Sequence, residues 1–200
     1  MPEGSIVLAS ASRSRAILLK KAGINVDICP ANIDEKAIKD TCRRDHVDVA
    51  TTSALLARRK AEKISRQSVE AFVIGADQML DCGGDWLDKP TDMNAAAETL
   101  RLLRGTVHEL VTSVGIVQAG EEIWNYTDRA QLVMREFSDS FLHDYLERVG
   151  EDALSSVGAY QLEGLGIQLF ERIEGDYFTI LGLPLLPVLE FLRAKGVVDL

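Results

Sequence analysis

The sequence predicts a mixed α/β fold, a mixed sheet with flanking helices, on three observations. Short apolar runs at Ile6-Val7-Leu8-Ala9 and Phe72-Val73-Ile74-Gly75 end in small or polar residues, the mark of buried strands. Val47, Ala50, Ala54, Ala57, Ala61 and Ile64 recur at helical spacing within 46–64. Beyond Gly105 the pattern lengthens into β-branched segments with Ala119-Gly120 as a hairpin turn. The 200 residues suit one domain over 1–200, or two small lobes sharing a cleft.

Each element has a local reason. Ser10 to Ser14 cap a helix carrying Ile17, Leu18, Leu19 and Ala22, and Gly23 stops it. Ile24 to Cys29 reads as a second strand, and Pro30 opens a loop through Ile33-Asp34-Glu35. The strand at Phe72 delivers Asp77 to its carboxyl end, and Cys82-Gly83-Gly84-Asp85 is a turn. Thr91 or Asp92 caps a helix with Ala96, Leu100 and Leu103, closed by Gly105. Val107–Val117, Glu121–Asn125 and Ala130–Phe137 read as strands, and Ser138 caps a helix ended by Gly150. A glycine-punctuated loop at Gly158–Gly166 precedes strands near Ile167–Arg172 and Phe178–Leu181, and Pro184 opens the last helix.

Composition narrows the function classes. With 22 Lys+Arg against 31 Asp+Glu, the formal net charge is −9, which disfavours a broad electrostatic grip on nucleic acid or an anionic membrane. No apolar run approaches the ~20 residues of a membrane span. Met1-Pro2-Glu3-Gly4-Ser5 lacks the basic segment of a signal peptide, so the expected location is the cytoplasm. Cys29, Cys42 and Cys82 form no C-x-x-C, and His46, His108 and His143 form no H-E-x-x-H, so neither a disulfide framework nor a zinc site is expected.

Familiar nucleotide motifs fail. Gly115 and Gly120 have phosphate-loop spacing, but Glu121-Glu122 stands where Lys-Ser/Thr is required. What remains is a set of separate candidates. In Leu8-Ala9-Ser10-Ala11-Ser12-Arg13-Ser14-Arg15, a strand feeds a hydroxyl-rich helix start bearing two guanidiniums, which suits a polyphosphate as well as an ordinary cap. Asp77 is a carboxylate beyond a buried strand, where open α/β folds place their sites, and is suited to a divalent cation or to activating water. Lys60 lies on the apolar side of its helix beside Ala57 and Ala61 and either snorkels or serves a site. Glu35 and Lys89 lie in loops, and lone His108 reads as a polar residue of the sheet or core. Together they supply carboxylates for metal and water and cations for phosphate charge.

In order along the chain, Leu8-Ala9-Ser10-x-Ser12, Ile33-Asp34-Glu35, Lys60-Ala61, Gly75-Ala76-Asp77, Lys89-Pro90, Gly105-x-x-His108, Gly158-Ala159-Tyr160-x-x-Glu163-Gly164-x-Gly166 and Gly182-Leu183-Pro184 resemble the Maf family of nucleoside triphosphate pyrophosphatases. The resemblance runs from Ile6 to Leu192. It implies an α/β fold similar to inosine-triphosphate pyrophosphatases, bilobal with a central cleft, and commonly a homodimer. It also implies cleavage of the α–β phosphoanhydride to a nucleoside monophosphate and pyrophosphate, with a divalent cation such as Mg²⁺ or Mn²⁺. By the matching motifs Asp77 is the catalytic base and Glu35 helps it hold the metal. Ser10, Arg13 or Arg15, Lys60 and Lys89 meet the phosphates.

Two departures stand out: Ser12-Arg13-Ser14-Arg15 lacks the family's proline, and Asp88 replaces the glycine that usually precedes Lys-Pro. Ser14, Gln78 and Glu163 match positions tied to base choice. The Asp77-Gln78 pair and the Glu163 motif resemble the branch acting on 7-methyl-GTP rather than the dTTP/UTP branch. A dTTP/UTP pyrophosphatase is the alternative within the same class, and a non-catalytic nucleotide-binding regulator of cell division is the alternative of a different class.

Overall fold

In chain order the elements are β1 (Ile6–Leu8), α1 (Arg13–Lys21), β2 (Asp27–Ile28), α2 (Glu35–Arg44), α3 (Val49–Ser65), β3 (Phe72–Cys82), β4 (Asp85–Leu87) and α4 (Met93–Leu103). They continue as β5 (Val107–Gln118), β6 (Glu121–Met134), α5 (Asp139–Val149), β7 (Phe170–Glu174), α6 (Tyr177–Ile180) and α7 (Leu185–Ala194), with 3-10 turns at Gly150–Ser155 and Leu165–Leu169. This computed structural model describes residues 4–198; Met1, Pro2 and Glu3 of the segment read for a leader lie outside them. Among the described residues no helix is long and apolar enough to cross a membrane.

The strands pair in the order β2-β1-β3-β5-β6-β7, with β4 added on β3, making a seven-stranded sheet. β1 runs parallel to β2 and β3, while β4 on β3 and β7 on β6 are antiparallel, so the sheet is mixed. The chain resolves into two compact units. The first takes residues up to Gln78, Thr112–Asp128 and the chain from Asp176; the second takes Met79–Val111 and Arg129–Gly175.

Strand alternation organises the core of the first unit. Ile6, Leu8, Phe72, Ile74 and Ala76 cluster with Leu18 and Leu19 of α1 and Val188, Leu189 and Leu192 of α7. Val7, Ala9 and Val73 cluster instead with Ala61 and Ile64 of α3. Successive side chains of a strand point to opposite faces, so α1 and α7 cover one side of the sheet and α3 the other.

Caps and turns follow the local signals. Ser12 caps α1, Asp92 caps α4 and Ser138 caps α5, each side chain accepting from a backbone N–H three residues on. Ala119 and Gly120, at φ 52° and 83°, make the two-residue β5–β6 hairpin.

Several expectations are corrected. The segment from Glu35 is a helix, α2, whose start is fixed by Asp34 accepting from the Ala37 amide at 2.9 Å. The strand after Gly23 shrinks to Asp27–Ile28. Asp77 lies inside β3, which continues to Cys82, rather than past a strand end. β6 is one strand of 14 residues where two were expected. Its exposed polar centre interrupts the apolar pattern, but a backbone ladder does not depend on that pattern. The strand expected over Phe178–Leu181 is instead the helical turn Tyr177–Ile180 followed by a turn at Leu181, because Asp176 caps it by accepting from the Thr179 amide. A run so short carries no period to distinguish the two.

Candidate active site

In the first unit, α3 packs directly on β3, and Gly75 permits it. A Cβ at Gly75 would lie 2.1 Å from the Ala57 carbonyl oxygen and 2.8 Å from the Ala61 nitrogen, too close for any side chain. Val73, Gly75 and Asp77 share the strand face toward α3, while Ala57, Lys60, Ala61 and Ile64 form its buried stripe. Two residues beyond the glycine, the Asp77 carboxylate therefore meets the Lys60 ammonium.

Lys60 Nζ donates to Asp77 Oδ1 at 2.6 Å and pairs with Glu35 Oε1 at 2.9 Å. The side chains of Lys60 and Asp77 are only 9% and 5% exposed, whereas that of Glu35 is 43% exposed. A lysine buried to this degree has its charge balanced by both carboxylates. Glu35 is brought there as the first residue of α2, and Lys63 on α3 donates to the carbonyl of Asn32 in the preceding segment. Asp77 Oδ2 is buried with no hydrogen-bond partner. An ionised carboxylate oxygen left so is costly in a purely structural residue, and it is the atom available to a water or a cation.

Asp77 and Glu35 are hard oxygen donors, which suits Mg²⁺ or Mn²⁺, and the unpartnered Oδ2 fits a cation ligand. Among the described residues no cluster of three or more His, Cys, Asp or Glu forms a ready cage. Two carboxylates match a metal whose remaining ligands are phosphate oxygens and water.

Arg15 and Arg13 part company. Arg15 is buried; its Nε donates to the Gly182 carbonyl at 2.6 Å, and its Nη1 to Ser10 Oγ at 3.0 Å and the Ala76 carbonyl at 2.9 Å. Burial lowers its pKa, against the raising effect of the Asp77 and Glu35 charges. Arg13 stands exposed at the start of α1, with Ser14 half-buried beside it. Ser10 is buried, and its Oγ also accepts from the Ser12 amide at 3.2 Å.

Gln78 points to the other face of the sheet from Asp77. Its Nε2 donates to Thr112 Oγ1 at 2.9 Å and to the Thr179 and Ile180 carbonyls at 3.0 Å each, leaving Oε1 outside these bonds. Ser53, on the same α3 stripe as Lys60, donates to the Asp77 carbonyl at 3.4 Å. Its spacing to Ala57 and Lys60 is the sequence signal that puts Ser53 on that stripe.

Lys89 and Glu163 belong to the second unit, and both are exposed. Glu163 sits in the loop after Tyr160, which that unit holds firmly. His108 is 1% exposed in β5, and its Nε2 lies 2.8 Å from Tyr160 Oη. Burial takes the His108 pKa down to about 4 and raises those of Tyr145, to about 12, and Tyr160. Tyr145 Oη donates to the Ala159 carbonyl at 3.2 Å, and Ser156 Oγ bonds both the amide and the carbonyl of Tyr160. A Cβ on Gly158 would lie 2.1 Å from the Tyr160 ring, and one on Gly166 2.5 Å from the Gln161 carbonyl oxygen. Gly158 and Gly166 of this motif thus serve close approach.

Within the first unit the structure brings Asp77, Glu35 and Lys60 into direct contact; Ser10 and Arg15 bond each other, Arg15 bonds the carbonyl of the residue before Asp77, and Gln78 faces the other side of the sheet. The arrangement can hold a cation and deprotonate a water beside a polyanion.

Comparison with known proteins bears on what that polyanion is. The Maf-like protein family matches residues 5–195. The chain is 49% identical over 188 residues to a nucleoside triphosphate pyrophosphatase of Granulibacter bethesdensis, covering 94% of this chain and 95% of that protein. It is 47% identical over 190 residues to a nucleoside triphosphate pyrophosphatase of Paramagnetospirillum magneticum, covering 95% and 98%. It is 46% identical over 194 residues to a 7-methyl-GTP pyrophosphatase of Rhizobium etli, covering 97% and 98%.

Proposed function

The chain belongs to the Maf family, and on that premise we propose that it is a nucleoside triphosphate pyrophosphatase, a hydrolase cleaving the α–β phosphoanhydride to a nucleoside monophosphate and pyrophosphate. The observation that carries the reading is the Lys60 ammonium held between Glu35 and Asp77, with Asp77 Oδ2 left unpartnered. We assign this activity to one domain over residues 1–200, acting in the cytoplasm as a homodimer.

Asp77 is the general base: Oδ2 takes a proton from the attacking water while Lys60 holds Oδ1 in place. As the water oxygen bonds to one of the two phosphorus atoms, the bond from that phosphorus to the bridging oxygen breaks, and the two halves leave as the monophosphate and pyrophosphate. Asp77 and Glu35 would hold a divalent cation such as Mg²⁺ or Mn²⁺, which neutralises phosphate charge and polarises the phosphoryl oxygens when bound. In the first unit Lys60 and Arg13 meet the phosphates, with Ser10 and Arg15 shaping the start of α1; Lys89 is assigned the same role by the motif resemblance alone.

Base choice is assigned to Ser14, Gln78 and Glu163. Glu163 can accept from the guanine N1–H and exocyclic amine together, and its charge suits a cationic methylated ring. Pyrimidines lack that adjacent pair of donors. The favoured substrate is therefore 7-methyl-GTP or another modified nucleotide.

The test is a panel of canonical and modified nucleoside triphosphates with pyrophosphate and phosphate detected separately. Stoichiometric pyrophosphate is expected. Phosphate alone from every substrate would overturn the cleavage position, and no product despite nucleotide binding would favour the regulator.

A further inference from the structure

The chain on either side of Asp77 is tied to one short turn that no recognised motif includes in full. The residue after it, Gln78, donates from Nε2 to the Thr179 and Ile180 carbonyls. The residue before it, Ala76, offers its carbonyl to Arg15 Nη1, and Arg15 Nε reaches the Gly182 carbonyl at 2.6 Å. Both peptide neighbours of Asp77 are thus joined to residues 179–182, on the sheet face opposite Lys60.

That turn is itself anchored through Thr179, which is fully buried. Its Oγ1 donates to Asp128 Oδ2 at 2.7 Å, its amide to Asp176 Oδ1 at 3.0 Å, and its carbonyl also accepts from Thr112 Oγ1 at 2.9 Å. Gly182 has φ +92°, a conformation other residues rarely adopt, and a Cβ there would meet the Arg15 guanidinium at 3.4 Å.

We propose that Thr179 is a positioning residue: by anchoring the 179–182 turn to Asp128 it holds, through Gln78 and Arg15, the backbone on both sides of Asp77 and so the pairing of Asp77 with Lys60. The inference rests on the assignment of Asp77 as the base. Thr179 touches neither the nucleotide nor the reacting water. Freed of its anchor, the turn lets Asp77 drift, and small misplacements of a base are expensive in rate. A threonine that merely satisfied its own hydroxyl would affect stability alone.

The experiment compares Thr179→Val, which keeps the shape and loses the hydroxyl, with Thr179→Ser, which keeps the hydroxyl. In the folded Thr179→Val protein kcat is expected to fall about 10-fold with little change in KM, and Thr179→Ser to recover most of it. Independently of turnover, the acetylation rate of Lys60, read by mass spectrometry against exposed Lys20 and Lys36, rises several-fold in Thr179→Val and returns in Thr179→Ser. If Thr179→Val fails to fold, Asp128→Ala, which removes the acceptor of the same bond, carries the same two expectations. Wild-type kcat together with unchanged Lys60 labelling overturns the proposal. A wild-type protein that releases no pyrophosphate defeats the functional reading instead, and the labelling still decides whether Thr179 holds the pair.

Discussion

Lys60 Nζ lies 2.6 Å from Asp77 Oδ1 because a glycine two residues before the aspartate lets helix α3 settle onto strand β3. The lysine is buried and shared with Glu35, while the second oxygen of Asp77 has no protein partner. The pairing fixes the carboxylate without consuming it, which is the requirement for a positioned general base.

Replacing the base tests this most directly. Asp77→Asn is nearly isosteric and leaves Lys60 its Glu35 partner, so the fold survives. Turnover falls by about 10²–10⁴-fold. Pyrophosphate release beside a thermal unfolding curve checks it; near-wild-type turnover in the folded variant removes Asp77 from the role.

The helix–strand contact makes a separate prediction. Gly75→Ala inserts a methyl against the backbone of Ala57 and Ala61, which cannot give as a side-chain tip can. It is expected to cost about 1–3 kcal/mol or more in stability and to weaken catalysis by moving Lys60 away from Asp77. Urea unfolding with kcat on the same samples measures both. An unchanged midpoint would show that α3 does not need the glycine.

Chelation probes the proposed cation. Exhaustive removal of divalent ions stops pyrophosphate release, and Mg²⁺ or Mn²⁺ restores it, because oxygen donors with phosphate and water suit hard cations. Full activity after chelation contradicts the assignment of Asp77 and Glu35 as metal ligands.

Glu163→Gln addresses base choice. Losing a charged acceptor should lower kcat/KM for 7-methyl-GTP by about 10- to 100-fold while altering dTTP and UTP little. A wild-type preference for dTTP or UTP, or an unchanged ranking in the variant, sinks the base argument and leaves the pyrophosphatase reading intact.

His108 gives stability a pH dependence. Burial lowers its pKa from 6.5 to about 4, so between those values the unfolded chain binds a proton that the folded chain refuses. Its contribution is complete above 6.5 and is lost as pH falls toward 4; the whole difference is about 3 kcal/mol. Relative to His108→Gln, which cannot titrate, the wild type should lose stability on acidification across this window. Parallel unfolding midpoints for the two proteins would refute it.

The sequence by itself determined the elements whose signals are local. Ser10 to Ser14, Thr91 or Asp92, and Ser138 mark helix starts, where the side chains of Ser12, Asp92 and Ser138 reach their own backbone, and Ala119-Gly120 marks a hairpin by its backbone freedom. The stripe Ala57-Lys60-Ala61-Ile64 already set Lys60 on a buried face, because helical spacing alone decides which residues share a face. The one-turn helix at Tyr177–Ile180 escaped the reading, being shorter than the period that would reveal it. The unbroken run of β6 escaped it because backbone pairing ignores the polarity of its middle. Only the tertiary structure decided what those faces meet. That Asp77 lies inside β3 facing Lys60, that Gln78 faces Thr179, and that Arg15 spans Ala76 and Gly182 depend on contacts between residues far apart in the chain. Such contacts arise from the packing of helices on opposite faces of a sheet, and no local pattern of residues encodes them.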